Sequence, residues 1–272
     1  MGNVYLLLAF FSSLSIVLLL RIFENRGFDR YVIIASNYLI SGSIGFLFLT
    51  GKEFPNTEML IFGAVIGLLF FISFSAFSLS LKKYGIASTV TFGRLSLAIP
   101  VIASILLWGE SPSFTNAISI FLIFLIIILW GGKIRNISPL LILLFFLFGV
   151  IDASMKYFKI RFPLVDNNMF LITLFFSAFI WSWIYILFSG RKVKRAAVLS
   201  GLALGIPNFF SSYFVLLALS NGIPAFVTFP FINIGVIISS AILGRLLFKE
   251  KLSPKRIFLI ILGITAIVFL SS

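Results

Sequence analysis

From Ile120 to Leu129 the chain reads IFLIFLIIIL, and apolar runs of this kind recur along its whole length. They leave few folding choices. A helix needs about 20 mostly apolar residues to cross a bilayer, and in lipid a backbone must satisfy its own N–H and C=O groups. Short charged or turn-forming clusters separate the runs: RIFENRGFDR, GKEFPN, LKKYG, WGESPS, GGKIRNISP, FPLVDNN, SGRKVKR, SNG and FKEKLSPK. They divide the chain into predicted helices at about 3–20, 30–50, 58–81, 86–108, 114–131, 139–158, 168–189, 196–220, 223–247 and 255–271. The weakest division is the last but one, where only Asn221 and Gly222 lie between the apolar runs. The expected fold class is an all-α membrane protein of ten transmembrane helices, with no separate soluble domain. The first run has no basic segment before it and no small-residue cleavage site after it, so it reads as a retained span and not a signal peptide.

Composition agrees with this reading. Hydrophobic residues make up 61% of the chain and charged residues 11%, with a mean hydropathy of +1.19, against about a quarter charged in a soluble domain. Cys and His are both absent, which removes disulfides, thiol chemistry and the commonest metal ligands. No metal and no cofactor is expected. Without those residues, and with no paired-carboxylate cluster, a membrane-embedded enzyme is disfavoured.

The net charge of +13 is distributed as topology, not as a nucleic-acid groove. Loops after the odd-numbered helices hold Arg21, Arg26 and Arg30; Lys82 and Lys83; Lys133 and Arg135; Arg191, Lys192, Lys194 and Arg195; and Arg245, Lys249, Lys251, Lys255 and Arg256. The even-numbered loops hold only Lys52, Lys159 and Arg161. By the positive-inside rule the odd loops face the cytoplasm and both termini lie outside. The chain reads as a multi-pass protein of a prokaryotic cytoplasmic membrane, its basic loops meeting anionic lipid headgroups.

The stretch GIASTVTF at 85–92 returns as GIPAFVTF at 222–229, an offset of 137 in a chain of 272 residues. Chance likeness between apolar helices could account for that pair alone. A second agreement follows it: Leu106, Leu107, Trp108, Gly109 and Glu110 end the fourth helix, and Leu246, Leu247, Phe248, Lys249 and Glu250 end the ninth. Each Glu precedes a Pro-bearing helix start, SPSF or LSPK, with Ser as the expected N-cap and Pro in the first turn. Two five-helix halves, 1–135 and 136–272, are therefore expected. Because five is odd, the second half enters the membrane from the opposite side, and the repeats are inverted.

The paired halves, the starts KKYGIASTVTF and LSNGIPAFVTF and the ends LLWGE and LLFKE resemble the drug/metabolite transporter superfamily, of the EamA-like ten-helix kind, over essentially the whole chain. The resemblance implies a permease whose central pocket is bounded by helices 1–4 and 6–9, with helices 5 and 10 peripheral. Many such proteins have cytoplasmic termini, whereas the charge count here puts both outside.

Side-chain polarity agrees with that pocket. Predicted helices 5 and 10 offer almost nothing to a polar solute and suit lipid or a second copy of the chain, as in a homodimer. Helix 3 carries Ser73, Ser75, Ser78 and Ser80; helix 4 carries Thr91; helix 8 carries Asn208, Ser211, Ser212 and Tyr213; helix 9 carries Thr228 and Asn233. Thr91, Asn208, Ser212, Tyr213, Thr228 and Asn233 are candidates for substrate binding, the structural alternative being interhelical hydrogen bonds worth about 0.6 kcal/mol each. Pro100, Pro207 and Pro230 fall inside predicted helices, where each frees a carbonyl and marks a kink or gate. Pro230 and Asn233 are spaced to share a face.

Arg94 is the most informative charge. It stands about eight residues into predicted helix 4, roughly 12 Å at 1.5 Å per residue. A guanidinium at that depth faces a pocket or a partner: it can clamp a carboxylate or phosphate bidentately, pair with Asp152 or a carbonyl, or snorkel. Its counterpart at offset 137 is Phe231, so the charge is asymmetric. On helix 6, Asp152 and Lys156 stand at i and i+4; Asp152 is a candidate for a coupling proton, and Lys156 reads as an interfacial snorkel.

Together these features point to a secondary transporter of a small organic metabolite bearing a carboxylate, a phosphate or both charges. It would work by alternating access without nucleotide, since no Walker A pattern occurs. Expected partners are that solute and membrane lipid. Export of cationic or hydrophobic drugs, or of a lipid-linked carrier, is the alternative; a non-transporting scaffold is the alternative of another class.

Overall fold

A computed structural model describes residues 1–24, 26–50, 55–131, 138–248 and 252–270. The expected loop residues Lys52, Lys133, Arg135, Lys249, Glu250 and Lys251 lie outside the described residues. Among those described there are ten helices and no strand: α1 (Gly2–Glu24), α2 (Arg30–Leu47), α3 (Thr57–Leu95), α4 (Ala98–Leu106), α5 (Phe114–Gly131), α6 (Pro139–Arg161), α7 (Asn167–Phe188), α8 (Arg195–Ser220), α9 (Ala225–Phe248) and α10 (Pro254–Leu270). Among the described residues eight helical stretches are long and apolar enough to cross a membrane, so the chain is an α-helical integral membrane protein. The elements outside that count are α10, with 17 residues, and α2, whose apolar run is diluted by Ser36, Asn37, Ser41 and Ser43.

The loop expected at LKKYG is helical instead. Helix α3 continues through Lys82 to Gly85 and ends at Leu95. Two lysines end an apolar run without stopping a helix, and a glycine costs only about 1 kcal/mol relative to alanine. The chain breaks at Ser96 and Leu97, and Pro100 is the cause. It has no N–H for the Ser96 carbonyl, and its ring pushes that carbonyl aside. The Ile99 amide takes the Ser96 carbonyl at 2.9 Å, and the Leu97 amide reaches the Arg94 carbonyl at 3.3 Å, both in tighter three-residue turns. Pro100 therefore stands in the first turn of α4, where no donor is needed, and not in a helix interior. Pro207 and Pro230 do lie inside α8 and α9.

The thin division between α8 and α9 holds because Gly222 takes φ +82°. That conformation lets the Ile223 amide reach the Ala218 carbonyl and the Gly222 amide reach the Leu219 carbonyl, a Schellman stop. Ser253 caps α10 ahead of Pro254, accepting from the Arg256 amide. For α5 the expectation is off by two positions: Ser113 is the cap, exchanging hydrogen bonds with Asn116, so Pro112 precedes the cap and is not in the first turn.

The chain divides into two compact units whose boundaries fall within α3, α6 and α8. The first comprises Met1, Asn3–Ile72 and Tyr157–Leu217; the second comprises Gly2, Ser73–Lys156 and Ala218–Ser272. Each draws on both halves of the sequence.

In the first unit α2 and α7 pack antiparallel, and the two ends of the pair are alike. Asp29 caps α2, accepting from the Tyr31 and Val32 amides, and its other oxygen meets Arg191, beyond the end of α7, at 2.6 Å. Asp166 caps α7, accepting from the Asn168 amide, and its other oxygen takes the amide and hydroxyl of Thr50, beyond the end of α2. The two aspartates are 137 positions apart. Small residues bring α3 and α8 against this pair. A Cβ at Gly201 would meet the Ile33 carbonyl oxygen and Ser36, and one at Gly205 would lie 2.6 Å from the Asn37 carbonyl oxygen. Correspondingly, a Cβ at Gly67 would meet the Leu174 carbonyl oxygen and Ser177, and one at Gly63 would meet Thr173. Each small-xxx-small seam is sealed by a serine: Ser41 donates to the Gly205 carbonyl at 3.0 Å and Ser177 to the Ala64 carbonyl at 2.7 Å.

In the second unit the core is formed by Leu97 in the break before α4, Val101 of α4, Ile123 and Ile126 of α5, Ile234 and Ile238 of α9, and Leu259 and Ala266 of α10. Helices α5 and α10 run antiparallel, with Asn116 donating to the Leu270 carbonyl at one end and Arg256 over the Trp130 ring at the other. Their outer faces expose Phe121, Ile128, Ile261 and Val268.

Candidate functional site

The break before α4 leaves Arg94 in the last turn of α3, where the carbonyl end of the helix dipole favours a cation. It still falls within the apolar stretch Ser88–Leu106. Its Nη1 donates to Asn233 Oδ1 at 2.6 Å, and Asn233 Nδ2 donates back to the Phe229 carbonyl at 3.0 Å. Both ends of that amide are engaged, so Asn233 presents its oxygen to the guanidinium. Helix α6 approaches from another direction. A Cβ at Gly149 would lie 2.7 Å from the Ser96 carbonyl oxygen, so the absence of a side chain lets α6 close on the α3–α4 break. One turn further, Asp152 comes within electrostatic reach of Arg94. The two are not joined as an ion pair, and among the described residues Asp152 has no hydrogen-bond partner. Arg94, Asp152 and Asn233 are all only partly buried.

Lys156 is not a snorkelling residue. Its Nζ lies 2.7 Å from Glu110 Oε1, with the two side chains 17% and 12% exposed, a contact of charges more than an aligned hydrogen bond. The other Glu110 oxygen accepts from the Ala225 amide at 2.8 Å and the Phe226 amide at 3.4 Å. A carboxylate at the start of α9 satisfies orphan donors and complements the helix dipole, and Lys156 then balances its charge. The amine expected beside Asp152 is thus committed to Glu110. Neither the break at Pro100 nor Glu110 emerges as a site feature from the sequence alone, although the Glu closing LLWGE just before a Pro-bearing start is the visible signal for the second.

The other expected residues divide between the units. In the second, Thr91 is 3% exposed and lies against Gly131 of α5, and Thr228 is fully buried with its hydroxyl donating to the Pro224 carbonyl. In the first, Asn208 donates weakly to Ser41 at 3.4 Å, Tyr213 stacks on Phe209 and tilts against Phe48, and Ser212 is partly buried on α8 beyond Pro207. Along α3, the hydroxyls of Ser75, Ser78 and Ser80, with Thr89, are buried and have no partner among the described residues. Two open apolar grooves flank α8 in the first unit, of about 550 and 510 Å³, sharing Ala203, Ile206 and Phe210. No group of three His, Cys, Asp or Glu among the described residues could hold a metal ion.

Comparison with known proteins adds little beyond the fold. No protein-family model matches the chain. An uncharacterized protein of Haemophilus influenzae is 28% identical over 284 aligned residues, covering 96% of this chain and 95% of its own length. Among solved structures, one described only as a crystal structure of a protein matches with a TM-score of 0.79 across 98% of each chain, at 16% identity. That likeness extends to the fold alone.

Proposed function

We propose that this chain is a secondary transporter of a small organic metabolite, built from ten spans as two inverted five-helix repeats and akin to the drug/metabolite transporters of the EamA-like kind. The observation that carries the function is the Arg94 guanidinium within an apolar span, tethered to Asn233 and without an ion pair among the described residues. Ionisable groups at membrane depth are costly and persist where they face a substrate path. The repeat is supported by the 137-residue offset shared by the GIxxxVTF stretches and the capping aspartates, and by packing that joins α2 to α7, α4 to α9 and α5 to α10, each to the helix five places on. Two halves related in this way can exchange conformations around a midplane site. The breaks and kinks at Pro100, Pro207 and Pro230 give α4, α8 and α9 places to bend. Arg94 and Asn233 hold the solute, and Asp152 is the group able to carry a coupling proton.

Purified chain in sealed vesicles should move a charged metabolite in the absence of nucleotide, and flux that strictly requires nucleotide would overturn the mechanism. Because the chain has no Cys, a single cysteine placed at Ser272 tests the orientation: a membrane-impermeant thiol reagent should label it from outside the cell. The outward apolar faces of α5 and α10 suit a homodimer contact, which crosslinking in native membranes would detect. The grooves beside α8 favour the second reading, efflux of a hydrophobic or lipid-linked cargo. On that reading the vesicles would move hydrophobic cations and ignore charged metabolites.

A further inference from the structure

One of the two grooves beside α8 lies between α8 and α1, and these helices are antiparallel: the Ser13 and Ser211 hydroxyls meet at 2.7 Å, and Tyr5 stacks on Phe214. Its lining runs from Leu19 to Leu8 on α1 and from Ala203 to Phe214 on α8, about 16 Å along each at 1.5 Å per residue. That is close to the depth of one leaflet, half of a hydrocarbon core of about 30 Å. Spread over that length, the volume of about 510 Å³ gives a cross-section of roughly 30 Å², whereas a helix about 10 Å across fills roughly 80 Å². The groove therefore suits a single hydrocarbon chain and is too narrow for another helix. Its side chains are apolar except for Ser12 and Ser15, and Ser15 turns its hydroxyl back to the Phe11 carbonyl at 2.9 Å.

At one end this face leads to cations. On α8 the row Phe210, Ile206, Ala203 continues at helical spacing through Leu199 to Arg195; on α1, Leu19 continues through Ile22 toward Arg26, just beyond the helix. Leu199, Ile22, Arg195 and Arg26 are all exposed. Lys192 and Lys194 are exposed beside Arg195, whereas Arg191 is committed to Asp29. The opposite ends of the two helices, residues 1–10 and 211–220, contain no Lys or Arg.

We infer that the α1–α8 groove is a binding site for one anionic diacyl phospholipid, with an acyl chain along the groove and the phosphate among Arg26, Lys194 and Arg195. The lipid belongs to the leaflet on the basic side of the protein. Lipid tails are as apolar as the groove, so the chain gains packing contact and not hydrophobic burial, and the shape of the groove decides whether a lipid is retained. Basic side chains at the membrane surface attract an anionic headgroup, and they decide which lipid it is. A zwitterionic headgroup brings its own ammonium into the same cluster and is held less well. The inference is independent of the transport reading: the lipid is a retained ligand, and its binding is read without flux.

The test is native mass spectrometry of the full chain, purified in mild detergent and offered dioleoyl phosphatidylglycerol and dioleoyl phosphatidylethanolamine at equal concentration. Wild type should bind one phosphatidylglycerol ahead of any further lipid and prefer it to phosphatidylethanolamine by about 20-fold or more, two basic residues at roughly fivefold each. Ala203 is exposed in the groove, so Ala203→Phe should fill the groove without disturbing the core. It should remove the excess of the first bound lipid, of either kind, while the Tm without lipid stays near wild type. Ser15→Phe, from the opposite wall, should do the same and serves if Ala203→Phe folds poorly. Arg26→Gln combined with Arg195→Gln should keep one lipid bound but erase most of the preference. Raising the salt to 1 M should have the same effect on wild type, since the Debye length falls to about 3 Å. A statistical ladder of adducts, alike for the two lipids and unmoved by either groove variant, would overturn the inference. Displacement of the lipid by an equal concentration of soluble glycerophosphoglycerol would also overturn it, because the site would then be a phosphate patch without a chain. A wild-type dimer that carries no lipid and that Ala203→Phe dissociates would assign the groove to a second copy and sink the lipid site.

Discussion

The α2–α7 pair of the first unit and the Arg94 cluster of the second both place charged groups in an apolar chain, yet they treat them oppositely. In the pair each capping aspartate is used at both oxygens: Asp29 by its helix amides and Arg191, Asp166 by Asn168 and Thr50. In the cluster Arg94 has one side-chain partner and Asp152 none among the described residues. Fully engaged polar groups fix a structure, and removing one should cost stability. Groups left short of partners weaken a structure until something else engages them, so removing one should cost binding.

The largest expected effect lies in the cluster. Arg94→Gln should reduce flux or ligand affinity at least about 100-fold, the scale for truncating one side of a desolvated charge pair. Its Tm without ligand should stay near wild type or rise, because a poorly partnered charge is a burden to the fold. A large fall in Tm, with residual folded protein still binding normally, would make Arg94 a structural residue and dissolve the contrast. Gly201→Leu should do the reverse. Its side chain would press on the Ile33 carbonyl and Ser36 with backbone unable to give way, and destabilisation of about 1–3 kcal/mol is expected from a shifted denaturation midpoint. Ligand affinity of the folded fraction should be unchanged.

Features governed by local chemistry are legible in the sequence, and those made by long-range contact are not. Apolar length sets the helices, and the Asn221–Gly222 division survives because Gly222 can take a positive φ. The lysines at 82 and 83 mislead because a charged patch resembles a loop, while the true break is imposed by the Pro100 ring on a carbonyl four residues earlier. Arg94 and Asn233 can be picked out singly as odd residues in apolar helices, but nothing in their positions says that they touch. Lys156 misleads for the same reason, since its partner Glu110 is 46 positions away. Some of what escapes is nevertheless written there: Asp29 and Asp166 share the offset of the GIxxxVTF stretches, and GAVIG at 63–67 and GLALG at 201–205 are both small-xxx-small frames.

A smaller effect is expected at the Asp166 end of the pair. Asp166→Ala removes a helix cap and both Thr50 bonds, and a loss of about 2 kcal/mol is expected. The acid also has a pH signature. Burial pushes the Asp166 carboxyl up, but hydrogen bonds from Thr50 and Asn168 outweigh it and hold the carboxyl below the usual carboxylate range. A depressed pKa in the folded state contributes stability at pH above the unfolded value of about 4, and that contribution is lost as pH falls through the lower folded value. The denaturation midpoint of wild type should therefore fall more steeply than that of Asp166→Ala as pH drops below about 4. Parallel curves would mean that the Thr50 bonds do not distinguish the ionised form.

The smallest effect, and the finest test of the comparison, is at the opposite end. Asp29 and Arg191 are more exposed, at 29% and 26%, and what joins them is charge, with the guanidinium also lying 4.2 Å from the Tyr31 ring centroid and 5.5 Å from that of Tyr185. An ion pair so placed is worth about 0.2–1 kcal/mol and is screened as the Debye length shrinks from about 8 Å at physiological salt to about 3 Å at 1 M. Arg191→Gln should lower the midpoint by that amount at low salt and by much less at 1 M. Arg191→Lys keeps the charge but loses the planar stacking, so it should retain the salt-dependent part and lose a salt-independent remainder. Asp166→Ala, which removes bonds to neutral donors, should show a loss nearly independent of salt. If Arg191→Gln were as insensitive to salt as Asp166→Ala, contacts with the tyrosines, including the hydrogen bond to the Tyr185 hydroxyl, would be the whole contribution of Arg191, and the two ends of the pair would be alike in their use of charge as well as in geometry.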